Sequence, residues 1–115
     1  MKNIFCLFVA LFAVPASATP LQLNKGDHIS IIGNTLADRM QHVGWLEARI
    51  HARFPKHELV FRNLSFPGDT VTTRPRSANF GSTDQWLTKM KSDVVVMFFG
   101  YNESLAGEEG IPNFK

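Results

Sequence analysis

Two short apolar segments constrain the fold of this chain most strongly. "HISIIGNT" (28–35) is rich in β-branched residues and ends close to a glycine, which is typical of a buried strand. "DVVVMFFG" (93–100) is almost continuously apolar. A segment of that kind is typical of a strand that is buried on both faces of a parallel sheet. A parallel sheet needs long crossover connections, so the segments between the strands are expected to contain helices.

The residues after the first strand change from a strand period to a helix period. One apolar stripe continues from Leu36 to Phe54 at spacings of three and four residues, and Pro55 follows it directly. This pattern predicts one amphipathic helix that ends before the proline. "HELVFRNLS" (57–65) then predicts a second strand.

The second half of the chain completes an alternating pattern. "FPGDTVTTRPRSANFG" (66–81) is a long loop, and Ser82 or Thr83 can cap a short helix after it. The residues after Gly100 are polar and predict a loop. The resulting order is β-α-β-α-β, which predicts an α/β fold with a parallel sheet. Because three strands are few for such a sheet, we expect the N-terminal part of a larger domain. The tryptophans and phenylalanines are expected in its core.

The first 18 residues have the pattern of a secretory signal peptide. Lys2 precedes the apolar run "IFCLFVALFAV", and Ala16-Ser17-Ala18 fits a cleavage site, so that the mature chain would begin at Thr19. An uncleaved N-terminal anchor is the alternative. We expect an exported bacterial protein, periplasmic or secreted, without stable membrane insertion. Cys6 would leave with the signal, which excludes disulfides, thiol catalysis and cysteine-based metal sites.

Charge and motif content exclude further classes of function. The formal net charge is only +2, and no stripe of lysines and arginines alternates with aromatic residues, so nucleic acid is not an expected partner. The chain has no Gly-x-Gly-x-x-Gly and no P-loop, which argues against a nucleotide-binding protein. His51 and His57 could form a metal pair, but their positions favour surface residues at a helix end. We therefore expect neither a metal nor a cofactor.

A cluster of polar residues follows each of the three predicted strands. The clusters are residues 33–35, 63–70 and 100–103. In an open parallel sheet, ligands bind beyond the carboxyl ends of the strands, where such clusters meet. The recurrence of a cluster after three successive strands predicts a single site at that edge.

In these three clusters the sequence resembles the SGNH/GDSL hydrolase family. Gly33-Asn34-Thr35-Leu36 aligns with the Gly-Asp-Ser-Leu block, residues 63–70 with the second block, and Gly100-Tyr101-Asn102-Glu103 with the Gly-x-Asn-Asp block. The resemblance covers residues 28–107. It implies a flavodoxin-like, three-layer α/β/α fold of which residues 19–115 are the N-terminal part. Such modules sometimes belong to longer multidomain chains.

The resemblance also implies a reaction, which is hydrolysis of a small-molecule or carbohydrate ester through an acyl-enzyme. Thr35 would take the place of the nucleophilic serine. The backbone N–H groups of Thr35 and Gly68 and the side chain of Asn102 would stabilise the oxyanion. The family's catalytic histidine lies in an Asp-x-x-His pattern beyond residue 115. The 115-residue chain is therefore expected to be inactive by itself.

The resemblance places further residues at the substrate, and several depart from the family pattern. Asn34, Asp69, Glu103 and Arg74 are the expected substrate-binding residues, although Asn34 and Glu103 each replace an aspartate of the family. Together with threonine in place of serine, these departures motivate an alternative. The chain would then be a non-catalytic SGNH-like module that binds a sugar or acyl ligand.

Two local patterns have simpler interpretations. Thr35 is a good helix N-cap, with Asp38 three residues later as an imperfect capping box. Arg74 and Arg76 flank Pro75, and this pattern by itself favours a solvated loop over a site for an anionic or sugar substrate.

Overall fold

The computed structural model describes residues 20–114, which contain three strands and six short helices. The predicted signal peptide, residues 1–18, lies outside the described residues. The strands are β1 (His28–Gly33), β2 (Val60–Asn63) and β3 (Val94–Phe98). The helices are α1 (Thr35–Met40), α2 (Trp45–Arg53), α3 (Thr83–Lys89), α4 (Tyr101–Ser104), a 3-10 helix (Gly107–Gly110) and α5 (Ile111–Phe114).

The three strands form one parallel sheet in the order β2-β1-β3. In the central strand, Ile31 is in register with Asn63 of β2 and Val96 of β3. The predicted α/β fold with a parallel sheet is therefore confirmed for the described part of the chain. All three predicted strands are present, each shorter than predicted.

The two crossover connections lie on opposite faces of the sheet. The first carries α1 and α2, and His51 of α2 packs against Phe61 of β2 with ring centroids 5.2 Å apart. The second carries α3 and approaches the other face, where the hydroxyls of Ser30 and Ser92 are 2.6 Å apart. Because the strand order reverses at β1, right-handed connections require this change of face.

The core of the described residues is centred on β1. Ile29, Ile31 and Ile32 are 2%, 1% and 6% exposed. The prediction that β3 is buried on both faces is wrong, because Val95 and Met97 are 38% and 67% exposed. β3 is an edge strand of the described sheet, and none of the described elements covers the face that carries these two side chains fully.

The predicted long helix over residues 36–54 is interrupted, which is a second correction. α1 ends at Met40, and Gly44 is the N-cap of α2, with a φ of 60° in the left-handed region that glycine adopts most easily. The Gly44 N–H donates to the Met40 carbonyl at 3.0 Å and closes the first helix. The break divides the apolar stripe, so Trp45 is 72% exposed rather than part of the core.

The aromatic core prediction fails at three further positions, namely Phe66, Phe80 and Phe114, which are 47%, 45% and 45% exposed. Trp86 is half-buried. The four aromatic rings belong to the loop before α3, to α3 itself and to the last helix, not to the sheet. Their hydrophobicity therefore does not identify the core, which consists of the aliphatic residues of β1 and its neighbours.

The residues after Gly100 are helical rather than a loop. Glu103 is the third residue of α4, and its side chain accepts a hydrogen bond from the Gly100 N–H at 2.8 Å. This is one half of a capping box, and it satisfies a donor that the helix itself leaves unpaired. Pro112 lies in the first turn of α5, where proline is tolerated. By contrast, the predicted cap of α3 is confirmed at Ser82, which forms a full capping box with Gln85.

Gly33 is the position where the fold tolerates least additional volume. A Cβ at this residue would lie 2.5 Å from the carbonyl oxygen of Phe98 and 3.1 Å from the Cβ of Ala37. We expect Gly33→Ala to lower the free energy of unfolding by about 2–3 kcal/mol, because the end of β3 and the helix α1 must both move away from the added methyl group. Urea denaturation of the purified chain measures this loss.

Gly44→Ala is the matched control for that substitution. Its φ is also positive, but nothing lies within 4 Å of an added Cβ, so we expect a loss of about 1 kcal/mol. Equal losses for the two variants would contradict the close approach of Gly33 to β3.

Candidate functional site

The three polar clusters meet at the carboxyl edge of the sheet, as the sequence predicts. The N–H of Asn34 donates to the carbonyl of Phe98, at the end of β3, at 3.2 Å. The N–H of Phe66 donates to the carbonyl of Gly33 at 3.2 Å, which joins the second cluster to the first. The side chain of Asn102 in α4 completes the set by bonding to the second cluster.

The first cluster is the turn from β1 into α1. Asn34 is 5% exposed, has extended backbone geometry, and accepts a hydrogen bond from the Leu36 N–H at 3.2 Å. Asn34 is therefore the N-cap, and the interpretation of Thr35 as the cap is wrong by one residue. Asp38 accepts from the side chain of Gln41 instead of completing a capping box. Thr35 is the first residue of the helix and is exposed, so its hydroxyl is not needed for capping.

The second cluster begins with a tight turn over residues 66–69. The N–H of Asp69 donates to the carbonyl of Phe66 at 3.2 Å, and Gly68 has a φ of 85°. Proline at the second position and a glycine with positive φ at the third are the features of a type II turn. The turn holds the backbone of Gly68 at the surface, where a ligand can approach it.

Asp69 and Arg76 form a buried ion pair across the loop that follows. The two N–H···O distances are both 2.7 Å, and the side chains are 3% and 16% exposed. The Arg76 guanidinium also lies 4.5 Å above the ring of Phe66. Its hydrogen bond to Asp69 holds the pKa of Arg76 above its ordinary value. A bidentate pair of this kind fixes both the spacing and the orientation of the loop.

These contacts correct the interpretation of the two arginines as a solvated loop. Arg76 is committed to Asp69, and Arg74 is half-buried, donating to the hydroxyl of Thr83 at 2.6 Å. The Arg74 guanidinium also lies 5.1 Å from the ring of Phe99. Asp69 and Arg76 are seven positions apart in the sequence, and no local periodicity of a loop brings two such positions into contact. The pair could therefore be found only from the fold.

The third cluster is joined to the second by Glu103. One carboxylate oxygen accepts from the N–H of Val71 at 2.8 Å, and the other accepts from Gly100. Burial by itself raises the pKa of Glu103, but backbone N–H groups of Val71, Glu103 and Gly100 outweigh it and hold the pKa below its ordinary value. The carboxylates of Glu103 and Asp69, both predicted to bind substrate, thus serve contacts within the protein.

The side-chain amide of Asn102 has an N–H donor that is available to a ligand at this edge. Asn102 is half-buried, and its side-chain amide donates to the carbonyl of Asp69 at 3.0 Å. An asparagine amide carries two N–H donors, so this bond fixes the orientation of the group and uses one of them. Thr35, Gly68 and Asn102 therefore lie on three neighbouring segments at one edge of the sheet.

The four histidines do not belong to this arrangement in the described residues. His28 is at the opposite end of β1, with Nδ1 3.0 Å from the carbonyl of Met90. His51 packs on Phe61, His57 packs on the ring of Phe54, and His42 follows α1. None of them is hydrogen-bonded to the three clusters within residues 20–114. A general base for Thr35 is thus not among the described contacts.

Among residues 20–114, no group of three or more metal-ligating side chains is close enough together to hold a metal ion. No helix within that range is long and apolar enough to cross a bilayer.

Searches of protein-family models, curated proteins and solved structures each found no match to this chain.

The Asp69–Arg76 pair gives a prediction about stability. Arg76→Met leaves a buried carboxylate without its partner, and we expect the free energy of unfolding to fall by about 2–3 kcal/mol. The double variant Asp69→Asn/Arg76→Met removes both charges and should recover part of that loss. Urea denaturation of the wild type and of both variants measures these changes.

Arg62→Met is the matched control, because Arg62 is an exposed arginine of β2 that donates to the neighbouring carbonyl of Phe61. We expect it to change stability by less than about 0.5 kcal/mol. If Arg76→Met cost no more than Arg62→Met, the ion pair would not be formed in solution.

Glu103 gives a prediction about pH. Because its folded pKa is lowered, its contribution to stability is present above the ordinary glutamate pKa of about 4.3 and is lost as pH falls through the lowered value. Wild-type protein should therefore lose more stability between about pH 6 and pH 3 than Glu103→Gln does. Glu108→Gln, at an exposed position, should behave as wild type. Identical acid profiles for the wild type and Glu103→Gln would contradict this role.

Proposed function

We propose that the chain is the N-terminal part of an exported, SGNH-type ester hydrolase with a flavodoxin-like fold. The observation that carries the proposal is that the segments containing Thr35, Gly68 and Asn102 are bonded to one another at the carboxyl edge. The Phe66 N–H donates to the carbonyl of Gly33, and the Asn102 amide donates to the carbonyl of Asp69. The strand order β2-β1-β3 supports it, since the flavodoxin-like order begins in the same way. In such folds the ligand binds between the ends of the strands at which the order reverses, here β1 and β3.

The proposed reaction starts at the exposed hydroxyl of Thr35. Its oxygen attacks the ester carbonyl, and its proton passes to a base. The alcohol leaves with a proton, and water then releases the acid from the acyl-enzyme. The N–H groups of Thr35 and Gly68 and the amide of Asn102 would bind the oxyanion. The first N–H groups of a helix have no partner within it, which leaves that of Thr35 available.

The base and the substrate are the parts of the proposal that depend on the family resemblance. The resemblance implies that a histidine beyond residue 115 would be the base. The substrate would be a small-molecule or carbohydrate ester, and the chain would act in the periplasm or outside the cell.

A non-catalytic binding module is the second candidate function. It is favoured by the use of Asp69 and Glu103 in bonds within the protein and by the threonine at position 35, whose β-methyl restricts the side chain. Such a module would bind a sugar or acyl ligand at the same edge without turning it over.

The two candidate functions make different predictions for the hydrolysis of p-nitrophenyl acetate by the full-length protein, that is, the proposed longer protein that contains this chain. For a hydrolase, Thr35→Ala should lower kcat/KM by at least about 10³-fold, since the nucleophile is lost. Asn102→Ala should lower it by about 10²–10³-fold, as expected for one oxyanion donor. Thr35→Ser should retain activity.

Thr88→Ala is the control, since Thr88 is an exposed threonine of α3. It should leave the rate unchanged. Equal rates for wild type and Thr35→Ala would show that Thr35 is not the nucleophile and would favour the non-catalytic binding module.

A further inference from the structure

A cavity lies on the other face of the sheet from α1 and α2. We call it the α3 cleft: a space of about 880 Å³ between Ile32 of β1, the loop 66–81 and the helix α3. Neither Thr35 nor Asn102 lines it. Its volume is within the range of clefts that hold small-molecule ligands.

One side of the α3 cleft is an aromatic and aliphatic wall. It contains Phe66, Phe80, Trp86 and Leu87. The rings of Phe80 and Trp86 are 5.3 Å apart, and the indole N–H donates to the carbonyl of Phe80 at 2.9 Å. Because that bond uses the only donor of the indole, Trp86 offers a ligand an apolar surface. The wall is therefore suited to a hydrocarbon or aryl group.

The α3 cleft also contains two guanidinium groups in different electrostatic situations. The charge of Arg76 is matched by the buried carboxylate of Asp69. Arg74 is bonded to the neutral hydroxyl of Thr83, and no described carboxylate lies within ion-pair distance of it. The remaining acidic side chain of the lining, Asp84, is exposed in the first turn of α3 and forms no ion pair with Arg74.

The apolar wall and the guanidinium of Arg74 together favour a ligand with an apolar part and an anionic group. A guanidinium has five N–H donors in a planar fork that matches a carboxylate, and the bond to Thr83 leaves most of them for a ligand. One unmatched cation in the lining favours a monoanion over a polyanion, and the aromatic and aliphatic wall offers a surface for an apolar body.

We propose that the α3 cleft binds a small monocarboxylate with an apolar body, and that Arg74 holds its carboxylate. This site does not require the chain to hydrolyse esters. It therefore remains testable in the 115-residue chain whether or not the proposed function is correct.

Tryptophan fluorescence reports binding in the α3 cleft directly. Trp45→Phe removes the exposed second tryptophan, so that emission comes from Trp86 alone. We expect hexanoate to change this emission with a Kd of about 1 mM or lower. Hexanamide, which has the same body without the charge, should bind at least about tenfold more weakly. No response to about 10 mM hexanoate, or equal affinities for the two compounds, would overturn the proposal.

Variants made in the Trp45→Phe background assign the charge preference to Arg74. Arg74→Gln should reduce hexanoate affinity to that of hexanamide, while Arg74→Lys should keep the preference for the anion. Unchanged hexanamide binding in Arg74→Gln would show that the cleft is still formed. Arg62→Gln removes an exposed arginine elsewhere and should change neither affinity. An undiminished hexanoate preference in Arg74→Gln would contradict the assignment.

Discussion

The central position of β1 is the constraint on which the rest of the described structure depends. It pairs in parallel with both other strands, and its isoleucines are almost fully buried. Because all three strands run in the same direction, the segments that leave them emerge at one edge. The parallel sheet thus makes neighbours of polar residues from three parts of the chain that are far apart in sequence. The close approach of Gly33 to Phe98 is part of the same packing.

At that edge, two carboxylates order the loop that carries Gly68. Asp69 is held by Arg76, and its own carbonyl receives the amide of Asn102. Glu103 joins the N–H of Val71 to the start of α4. These side chains therefore position the candidate oxyanion donors, and Thr35 and Asn102 remain the groups that can contact a ligand. The α3 cleft adjoins this arrangement, since residues 63–66 and Arg76 contribute to both, but Thr35, Gly68 and Asn102 do not line it.

The sequence predicts the order of elements, the parallel sheet and the meeting of the three clusters, because strand periods and strand-end residues are local signals. It does not predict the break at Gly44, where one backbone geometry overrides a continuous apolar stripe. It also misses α4. Residues 100–103 have the polar composition of an ordinary loop, and the bond from the Gly100 N–H to Glu103 that starts the helix is not visible in the sequence. The Asp69–Arg76 pair is likewise beyond local reasoning, because its partners meet only once the loop has folded over Phe66.

Covalent labelling tests the role of Thr35 most directly. The full-length protein would be treated with an organophosphate ester, which reacts with activated hydroxyls, and its tryptic peptides analysed by mass spectrometry. The proposed hydrolase predicts an adduct on the peptide of residues 26–39, with fragment ions that place it on Thr35 rather than Ser30. An unlabelled Thr35 in a protein that still hydrolyses esters, or an adduct on another residue, would contradict the account.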